Sequence, residues 1–188
     1  MDICFKQVGK RFGRKVVLQA IDWHIGDDET WQIDGPSGIG KTTLLRLLMG
    51  LEKPTSGQIL GTNGLRFAAV FQENRLLPTL TAVDNVRLVS DWPIAQIERL
   101  LQELLHLNDL VQPVSELSGG MQRRVAIARA LAAASDILVF DEPFSGLDEQ
   151  NILQAIHCIQ RYREGRTLIL SSHIPIARFM ELKHLHLQ

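Results

Sequence analysis

The sequence predicts an α/β fold in which helices cover a mostly parallel β-sheet. Continuous apolar runs at residues 136–140 and 167–171 are typical of buried parallel strands. Segments with strand and helix patterns alternate along most of the 188 residues, as such a sheet requires. The length is that of one domain, so we expect a single domain over residues 1–188.

The N-terminal part predicts a small antiparallel β-subdomain. Residues 2–8 and 16–25 have strand patterns, and residues 21–25 alternate between apolar and polar side chains. Residues 10–15 include four basic side chains and are predicted to form a turn with a solvated face. The next predicted elements are a strand at 30–34, a helix at 41–50, and strands at 58–60 and 65–72.

Residues 73–117 are predicted to form a helical insert, which divides the core into residues 1–72 and 118–188. Apolar residues recur at helical spacing from Ile97 to Leu107, and Pro113 ends this region. We expect the insert and the start of the following helix to form one helical subdomain. The remaining predictions are helices at 119–134, 149–163 and 174–180, the two buried strands, and a short strand at 184–188.

Composition excludes several classes of protein. The 20 basic and 21 acidic residues give a formal net charge of −1, which argues against a dedicated nucleic-acid binder. The two cysteines form neither a metal-binding spacing nor a disulfide framework, which fits a reducing compartment. The sequence contains no run of 18 apolar residues, the length needed to span a membrane, and its first residues lack a signal-peptide core.

A glycine-rich motif follows the strand at 30–34. It fits G-x-x-x-x-G-K-[ST], so we expect a P-loop NTPase core in which backbone amides and a helix N-terminus hold phosphates. Lys41 would reach the β- and γ-phosphates of a nucleotide, and the Thr42 hydroxyl would bind Mg²⁺. The alternative is a glycine turn that merely precedes a helix. The predicted phosphate contacts are Gly35, Pro36, Ser37, Gly38, Ile39, Gly40, Lys41, Thr42 and Thr43.

Two carboxylates end the apolar run at 136–140. Ligands gather at the carboxyl ends of parallel strands, so Asp141 would hold Mg²⁺ through water. Glu142 would act as the general base that polarises the attacking water. The alternative is that both residues cap the strand before Pro143.

The stretch Leu117–Gln122 (LSGGMQ) resembles the signature motif of ATP-binding-cassette (ABC) ATPases. Other motifs resemble that family's in the same order, over nearly the whole chain. They are Gln72 of a Q-loop, Ser145–Asp148 of a D-loop, His173 of a switch, and Phe12 at the position of an adenine-stacking aromatic.

The resemblance implies a head-to-tail dimer with two ATP molecules between its subunits. Ser118, Gly119 and Gly120 would then face the γ-phosphate bound by the second subunit, and Asp148 would organise the opposite site. Without the family context, Ser118 and Asp148 could each be an ordinary helix N-cap.

The resemblance also implies roles for three further side chains. Gln72 would contact Mg²⁺ or the attacking water and act as the hinge to the insert, or it could be a surface glutamine. His173 would donate to the γ-phosphate, or it could be a structural histidine. Phe12 would stack on adenine, or it could pack against its turn.

The role implied by the family is to power a transporter. We expect a separate integral-membrane permease that docks on the insert, a second ATPase subunit (a homodimer), and a periplasmic substrate-binding protein acting indirectly. Residues 73–81 resemble the same segment of bacterial import cassettes, including those for nitrate, sulfonate and taurine. The chain would be cytoplasmic and peripheral on the inner face of the cell membrane.

Other functions remain open. A soluble ABC-type ATPase could act in assembly or regulation without a permease, and a non-hydrolysing module could use ATP only to gate an interaction. A P-loop kinase or GTPase would not explain LSGGMQ. The short stretch between Lys41 and Gln72 implies a trimmed β-subdomain, and the end of the sequence at Gln188 implies no accessory C-terminal domain.

Overall fold

The structure, a computed structural model, describes all 188 residues. The strands are β1 (Ile3–Phe12), β2 (Lys15–Ile25), β3 (Thr30–Asp34), β4 (Ser56–Leu60), β5 (Phe67–Val70), β6 (Ile137–Asp141), β7 (Thr167–Ser171) and β8 (Lys183–His186). The α-helices are α1 (Lys41–Leu48), α2 (Ala82–Arg87), α3 (Ile94–Gln102), α4 (Gly119–Ala132) and α5 (Glu149–Tyr162). Short 3₁₀ turns cover Leu107–Leu110, Val114–Glu116 and Ile176–Arg178.

The predicted α/β fold is confirmed. Five parallel strands form the central sheet in the order β5-β6-β7-β3-β8. The strands β6 and β7 are buried along their whole length, which explains their continuous apolar sequences. Because the strands are parallel, the ends of β3, β6 and β7 meet at one edge of the sheet, where the glycine-rich loop begins.

The two faces of the central sheet contact different apolar cores. Along β6, Leu138 and Phe140 join a core shared with the insert, α4 and α5. The alternating residues Ile137 and Val139 join a second core with α1 and the N-terminal strands. This alternation is the two-residue period of a strand, so one short segment connects both halves of the molecule.

The predicted antiparallel β-subdomain is a three-stranded sheet in the order β2-β1-β4. The turn predicted over residues 10–15 forms but covers only Gly13 and Arg14, because β1 continues to Phe12 and β2 begins at Lys15. Gly13, with φ of 57°, permits this tight turn. The prediction of a solvated basic face is wrong for Lys10. This side chain is buried, and its ammonium donates to Glu52 and to the Lys53 carbonyl.

The insert contains a helix that the sequence analysis missed. Helix α2 has only six residues, too few to show a periodic pattern. The sequence feature that indicates this helix is Thr81, a residue type that favours N-caps. In the structure its hydroxyl accepts a hydrogen bond from the Asp84 amide. The fully buried Asn85 then donates to the Leu77, Leu80 and Thr81 carbonyls and fixes the preceding loop.

The helix predicted at 174–180 is wrong, because only the 3₁₀ turn Ile176–Arg178 forms there. Pro175 disfavours a helical conformation at Ile174, and the Ile174 amide donates instead to the Ser172 hydroxyl. No helix in the structure combines the length and the apolar character needed to cross a bilayer.

Candidate functional site

The loop between β3 and α1 has the geometry of a phosphate site. Gly40 has φ of 119°, and a Cβ there would lie 2.9 Å from Leu18 Cδ2 and 3.0 Å from Val17 Cγ1, so only glycine fits. No side chain caps α1, which leaves its first amides available to an anion.

An open cavity of about 630 Å³ lies over this loop, within the size range of ligand sites. We call it the phosphate cavity. Val17 is the only hydrophobic residue among those that line it, so charged and polar side chains and glycines surround the space. It is lined by Lys15, Val17, Ser37, Gly38, Gly40, Lys41, Thr42, Thr43, Gln72, Arg123, Glu142, Ser145 and His173.

The Lys41 ammonium lies across the loop and is only 7% exposed. Its Nζ donates to the Gly35 carbonyl at 2.8 Å and to the Pro36 carbonyl at 3.3 Å. It also lies 3.5 Å from His173 Nε2 and 3.9 Å from Glu142 Oε1. The loop therefore holds a buried cation at the floor of the cavity, where it can meet a phosphate.

Glu142 is the most constrained residue of the site. Its φ of 51° is unusual for a residue with a side chain, and such strain is often found at functional sites. The buried oxygen Oε1 accepts no hydrogen bond. His173 Nε2 is 3.2 Å away, within ion-pair distance, but without hydrogen-bond geometry. A buried carboxylate oxygen without a hydrogen bond is uncommon in folded proteins, and a water or ligand that reaches the cavity would satisfy it.

Ser171 at the end of β7 holds both carboxylate residues. Its hydroxyl donates to Asp141 Oδ1 at 2.7 Å and accepts from the Glu142 amide at 3.0 Å. This amide also approaches the Ser171 carbonyl at 3.2 Å. Asp141 is buried behind the cavity and does not line it. The sequence analysis missed Ser171, although its position at the end of a buried strand was a signal.

The predicted Mg²⁺ residues offer the oxygen donors that this ion prefers. Gln72 Nε2 donates to Thr42 Oγ1 at 3.1 Å, so these two side chains are adjacent. Asp141 uses Oδ1 for Ser171, which leaves its Oδ2 free of hydrogen bonds to the protein. The donor set of hydroxyl, amide and carboxylate therefore fits Mg²⁺.

Arg123 is a site residue that the sequence analysis missed. It lies on α4, is 6% exposed, and donates to the carbonyls of Phe71 and Gln72. Burial lowers the pKa of Arg123, while the charges of Asp141 and Glu142 oppose that shift. The sequence feature that could have revealed it is its position soon after the LSGG stretch. The helical period places this basic residue on the buried face of the helix.

The structure does not bring every predicted residue into the cavity. Ser118, Gly119, Gly120 and Asp148 lie elsewhere, and we call these four the signature surface. A Cβ on Gly120 would lie 3.3 Å from Leu147 Cδ2, so the LSGG turn and the D-loop are neighbours. Phe12 is 48% exposed, lies under the Lys10 ammonium, and does not line the cavity.

Both ends of the signature surface are helix N-caps. Ser118 Oγ accepts from the Met121 amide at 3.2 Å, and Asp148 Oδ1 accepts from the Asn151 amide at 2.9 Å. The hydrogen bond from the Asn151 amide lowers the pKa of Asp148. The alternative of ordinary capping thus holds for both residues and leaves a second role open.

Some loop residues also differ from expectation. Gly35, Pro36 and Ile39 do not line the cavity, and the first two use their carbonyls to hold Lys41. Lys15 and Val17 on β2 do line it, as does Ser145. Lys15 and Val17 were missed because only the tertiary approach of β2 to the loop brings them there.

The fold and the site define a phosphate-loop NTPase. Comparison with known proteins specifies the family. The profile of the family described as "ABC transporter" matches residues 18–145, which is more than half of the chain.

Three proteins illustrate the relationship. The glutamine transport ATP-binding protein GlnQ of Escherichia coli (strain K12) is 39% identical over 192 residues, with 90% of this chain and 80% of that protein covered. The aliphatic sulfonates import ATP-binding protein SsuB 1 of Rhodococcus jostii (strain RHA1) is 37% identical, with 88% and 70% covered. The solved dimer of the ATP-binding cassette MJ0796, in a post-hydrolysis state bound to ADP and Pi, has a TM-score of 0.84 and 30% identity over 99% of this chain and 94% of that one.

The chain therefore belongs to the ABC transporter family. It is an ATP-binding subunit that hydrolyses ATP with Mg²⁺. The resemblance inferred from LSGGMQ and the other motifs is confirmed at the level of the family.

Proposed function

We propose that this chain binds MgATP between the phosphate cavity of one copy and the signature surface of a second copy, and that hydrolysis drives import through a separate membrane permease. The observation that carries the proposal is the unpartnered oxygen Oε1 of Glu142. It lies 3.9 Å from Lys41 Nζ and 3.2 Å from His173 Nε2, above a loop shaped for phosphate.

The hydrolytic step uses the three side chains at this point. Glu142 accepts a proton from water while the water oxygen bonds to the γ-phosphorus and the bond to the bridging β–γ oxygen breaks. ADP and phosphate are the products. Lys41 neutralises charge on the β- and γ-phosphates, and His173 donates to a γ-phosphate oxygen.

Thr42, Gln72 and Asp141 are the residues that would hold Mg²⁺, which neutralises phosphate charge when bound. Asp141 would act through water, because it is buried behind the cavity wall. Ser171 fixes the Asp141 carboxylate through Oδ1 and directs the backbone of Glu142.

The signature surface would complete the site of the second copy. Its helix N-terminus keeps the Gly119 and Gly120 amides free, because the Ser118 side chain bonds only the Met121 amide. Those amides would bind the neighbour's γ-phosphate, and the same contact would form twice across a twofold axis. Asp148 would contact the opposite site, and Phe12 would stack on adenine once the nucleotide extends past Lys15.

Nucleotide binding would reach the permease through Arg123. This residue joins α4, which begins at the signature surface, to the carbonyls of Phe71 and Gln72. A second arginine on α4, Arg129, donates to the carbonyls of Asn74 and Arg75. A shift of Gln72 toward a bound phosphate would therefore be transmitted through these arginines to α4 and to the insert.

The organisation that supports this mechanism is a single domain, residues 1–188, with a core of 1–72 and 118–188. The insert at 73–117, with the start of α4, is the docking surface for the permease. The relative SsuB 1, which is named as an import subunit, supports the direction of transport. On this proposal the chain is cytoplasmic, peripheral on the inner membrane face, and served indirectly by a periplasmic substrate-binding protein.

The permease can be sought with the Glu142→Gln chain as bait, held in its ATP state. Detergent extracts of membranes from the source organism should yield a multi-span membrane protein, identified by mass spectrometry. Leu77→Asp, at a half-exposed leucine of the insert, should reduce its recovery, whereas Leu60→Asp, at a similarly exposed leucine of β4, should not. Phosphate release by the chain combined with recovery of soluble partners alone would favour the assembly or regulatory alternative.

A further inference from the structure

A second group of polar side chains lies at the edge of the central sheet, outside the phosphate cavity. Asp34 ends β3, and His184 and His186 lie on the neighbouring edge strand β8. In the parallel register Asp34 is opposite His186, and Gln32 is opposite His184. Residues two apart on a strand share a face, so β3 and β8 present all of these side chains on one side.

The three side chains converge on one point. Asp34 Oδ2 lies 2.6 Å from His184 Nδ1 and 3.4 Å from His186 Nδ1. The two imidazole rings are stacked, with centroids 5.6 Å apart and planes within 2° of parallel. The three donor atoms all lie within 4.8 Å of one another.

Gln32 orients the carboxylate of this cluster. It is buried, and its Nε2 donates to Asp34 Oδ1 at 2.8 Å, so that Oδ2 is directed to the histidines. Such a partner behind a ligand is typical of metal sites in proteins. The other mixed cluster of the chain, Asp2, Cys4 and His24, has no comparable partner, and its Asp2 side chain is 75% exposed.

We propose that Asp34, His184 and His186 bind a zinc ion. Two imidazole nitrogens and a carboxylate oxygen are ligands that Zn²⁺ accepts, whereas Mg²⁺ prefers oxygen ligands only. Tetrahedral coordination sets neighbouring ligand atoms roughly 3.4 Å apart. The pair from Asp34 to His186 already has this spacing, whereas His184 lies closer to Asp34, at 2.6 Å. An imidazole nitrogen directs its lone pair in the plane of its ring, so the two stacked rings must rotate out of parallel for both Nδ1 atoms to meet one ion.

Zinc would join the edge strand to the strand that carries the phosphate loop. The Leu187 amide donates to the Asp34 carbonyl, and Gly35 follows Asp34 directly. Both histidines are solvent-exposed in part, which leaves room for water as the fourth ligand. Zinc that binds only the native state raises the free energy of unfolding, and this increase grows with the logarithm of the zinc concentration once the site is filled.

The test uses the untagged full-length chain with Cys4→Ser and His24→Gln, which removes the other mixed cluster. Titration with ZnCl₂ in excess MgCl₂, followed by calorimetry, should give one equivalent of zinc. Adding His184→Gln and His186→Gln should weaken binding more than about 100-fold, beyond the usual cost of losing an outer partner. The midpoint of thermal unfolding should rise with zinc in the parent and not in this variant.

Two controls make the result decisive. Replacing the exposed histidines His106 and His157 by glutamine should leave zinc affinity unchanged. Gln32→Met, which keeps the ligands, should weaken zinc binding about 10- to 100-fold. Equal zinc affinity in the parent and in the His184/His186 variant, or displacement of zinc by MgCl₂, would overturn the proposal. Unfolding without zinc reports whether each variant is folded.

Discussion

The phosphate cavity and the signature surface differ in how their polar groups are satisfied. In the cavity, Glu142 Oε1 is buried without a hydrogen bond, and the Lys41 ammonium contacts two loop carbonyls and His173. At the signature surface, Ser118 and Asp148 already cap their helices. The cavity holds an unpartnered buried side-chain oxygen, whereas the Ser118 and Asp148 side chains are satisfied within the chain and only the Gly119 and Gly120 amides stay free for a phosphate. Nucleotide rather than a preformed protein contact should therefore drive dimerisation.

The largest expected effect is at Glu142. Glu142→Gln keeps the shape and removes the proton acceptor, so phosphate release should fall by about 10²- to 10⁴-fold. A dimer should then accumulate with ATP, as measured by size-exclusion chromatography with light scattering. Glu149→Gln, in the first turn of α5, is the matched control and should retain turnover. Normal phosphate release by Glu142→Gln would remove this residue from the chemistry.

Lys41 tests the cavity as a binding site. Lys41→Ala removes a 7% exposed ammonium from its phosphate partners and should weaken ATP binding by about 2–5 kcal/mol, measured by titration calorimetry. The exposed Lys53 provides the control substitution Lys53→Ala. Unchanged ATP affinity in Lys41→Ala would mean that phosphate binds elsewhere.

Arg123 links the two regions. A lysine cannot reproduce the paired bonds from its guanidinium to the Phe71 and Gln72 carbonyls. Arg123→Lys should lower the free energy of unfolding by about 1–3 kcal/mol, measured by urea denaturation. The exposed Arg161 offers Arg161→Lys as control. Equal losses in the two variants would show that the Arg123 contacts add nothing specific.

Ser118 separates capping from dimer contact. Ser118→Ala should cost about 1 kcal/mol of unfolding free energy because the cap of α4 is lost. Ser118→Asp keeps a capping oxygen but sets a negative charge toward the neighbour's γ-phosphate. In the Glu142→Gln background it should retain stability and abolish the ATP-dependent dimer. A normal dimer with Ser118→Asp would argue against the head-to-tail arrangement.

The smallest effect concerns Glu29, which belongs to neither region. Burial tends to raise its pKa, but hydrogen bonds from Lys183, the Gly26 amide and Trp31 outweigh it and lower the pKa from 4.5 to about 2. A depressed carboxyl pKa stabilises the fold above pH 4.5, and this contribution is lost as the pH falls toward 2.

Glu29→Gln should therefore be less stable than the parent at pH 7, and the difference should shrink between pH 4.5 and pH 2, as followed by urea denaturation. ATP-dependent dimerisation at pH 7 should be unchanged. Glu181→Gln, at an exposed glutamate, provides the control. A stability difference independent of pH would contradict the role of the Glu29 charge.

The sequence was informative wherever a local rule determined the structure. The apolar runs of β6 and β7 and the glycine pattern before α1 required no knowledge of distant residues. The prediction of a helix at 174–180 was wrong because the backbone restriction imposed by Pro175 outweighed the apolar pattern of the segment.

The unpredicted parts of the site depend on tertiary contacts. Arg123 reaches two carbonyls more than 50 residues earlier, and Lys15 enters the cavity only because β2 packs beside the loop. Neither approach is encoded in a short pattern. Glu142 was assigned from its place at the end of a buried strand, and Gln72 and His173 from motif order. The structure adds the distances from Glu142 to His173 and from Gln72 to Thr42.

The left-handed backbone at Glu142 has a consequence for any attempt to make this protein more heat-resistant. Glycine would adopt that conformation without steric cost, so Glu142→Gly should raise the melting temperature while abolishing turnover. Selection for durability alone would thus discard the ATPase, and a thermostable working variant must gain its improvement at other positions.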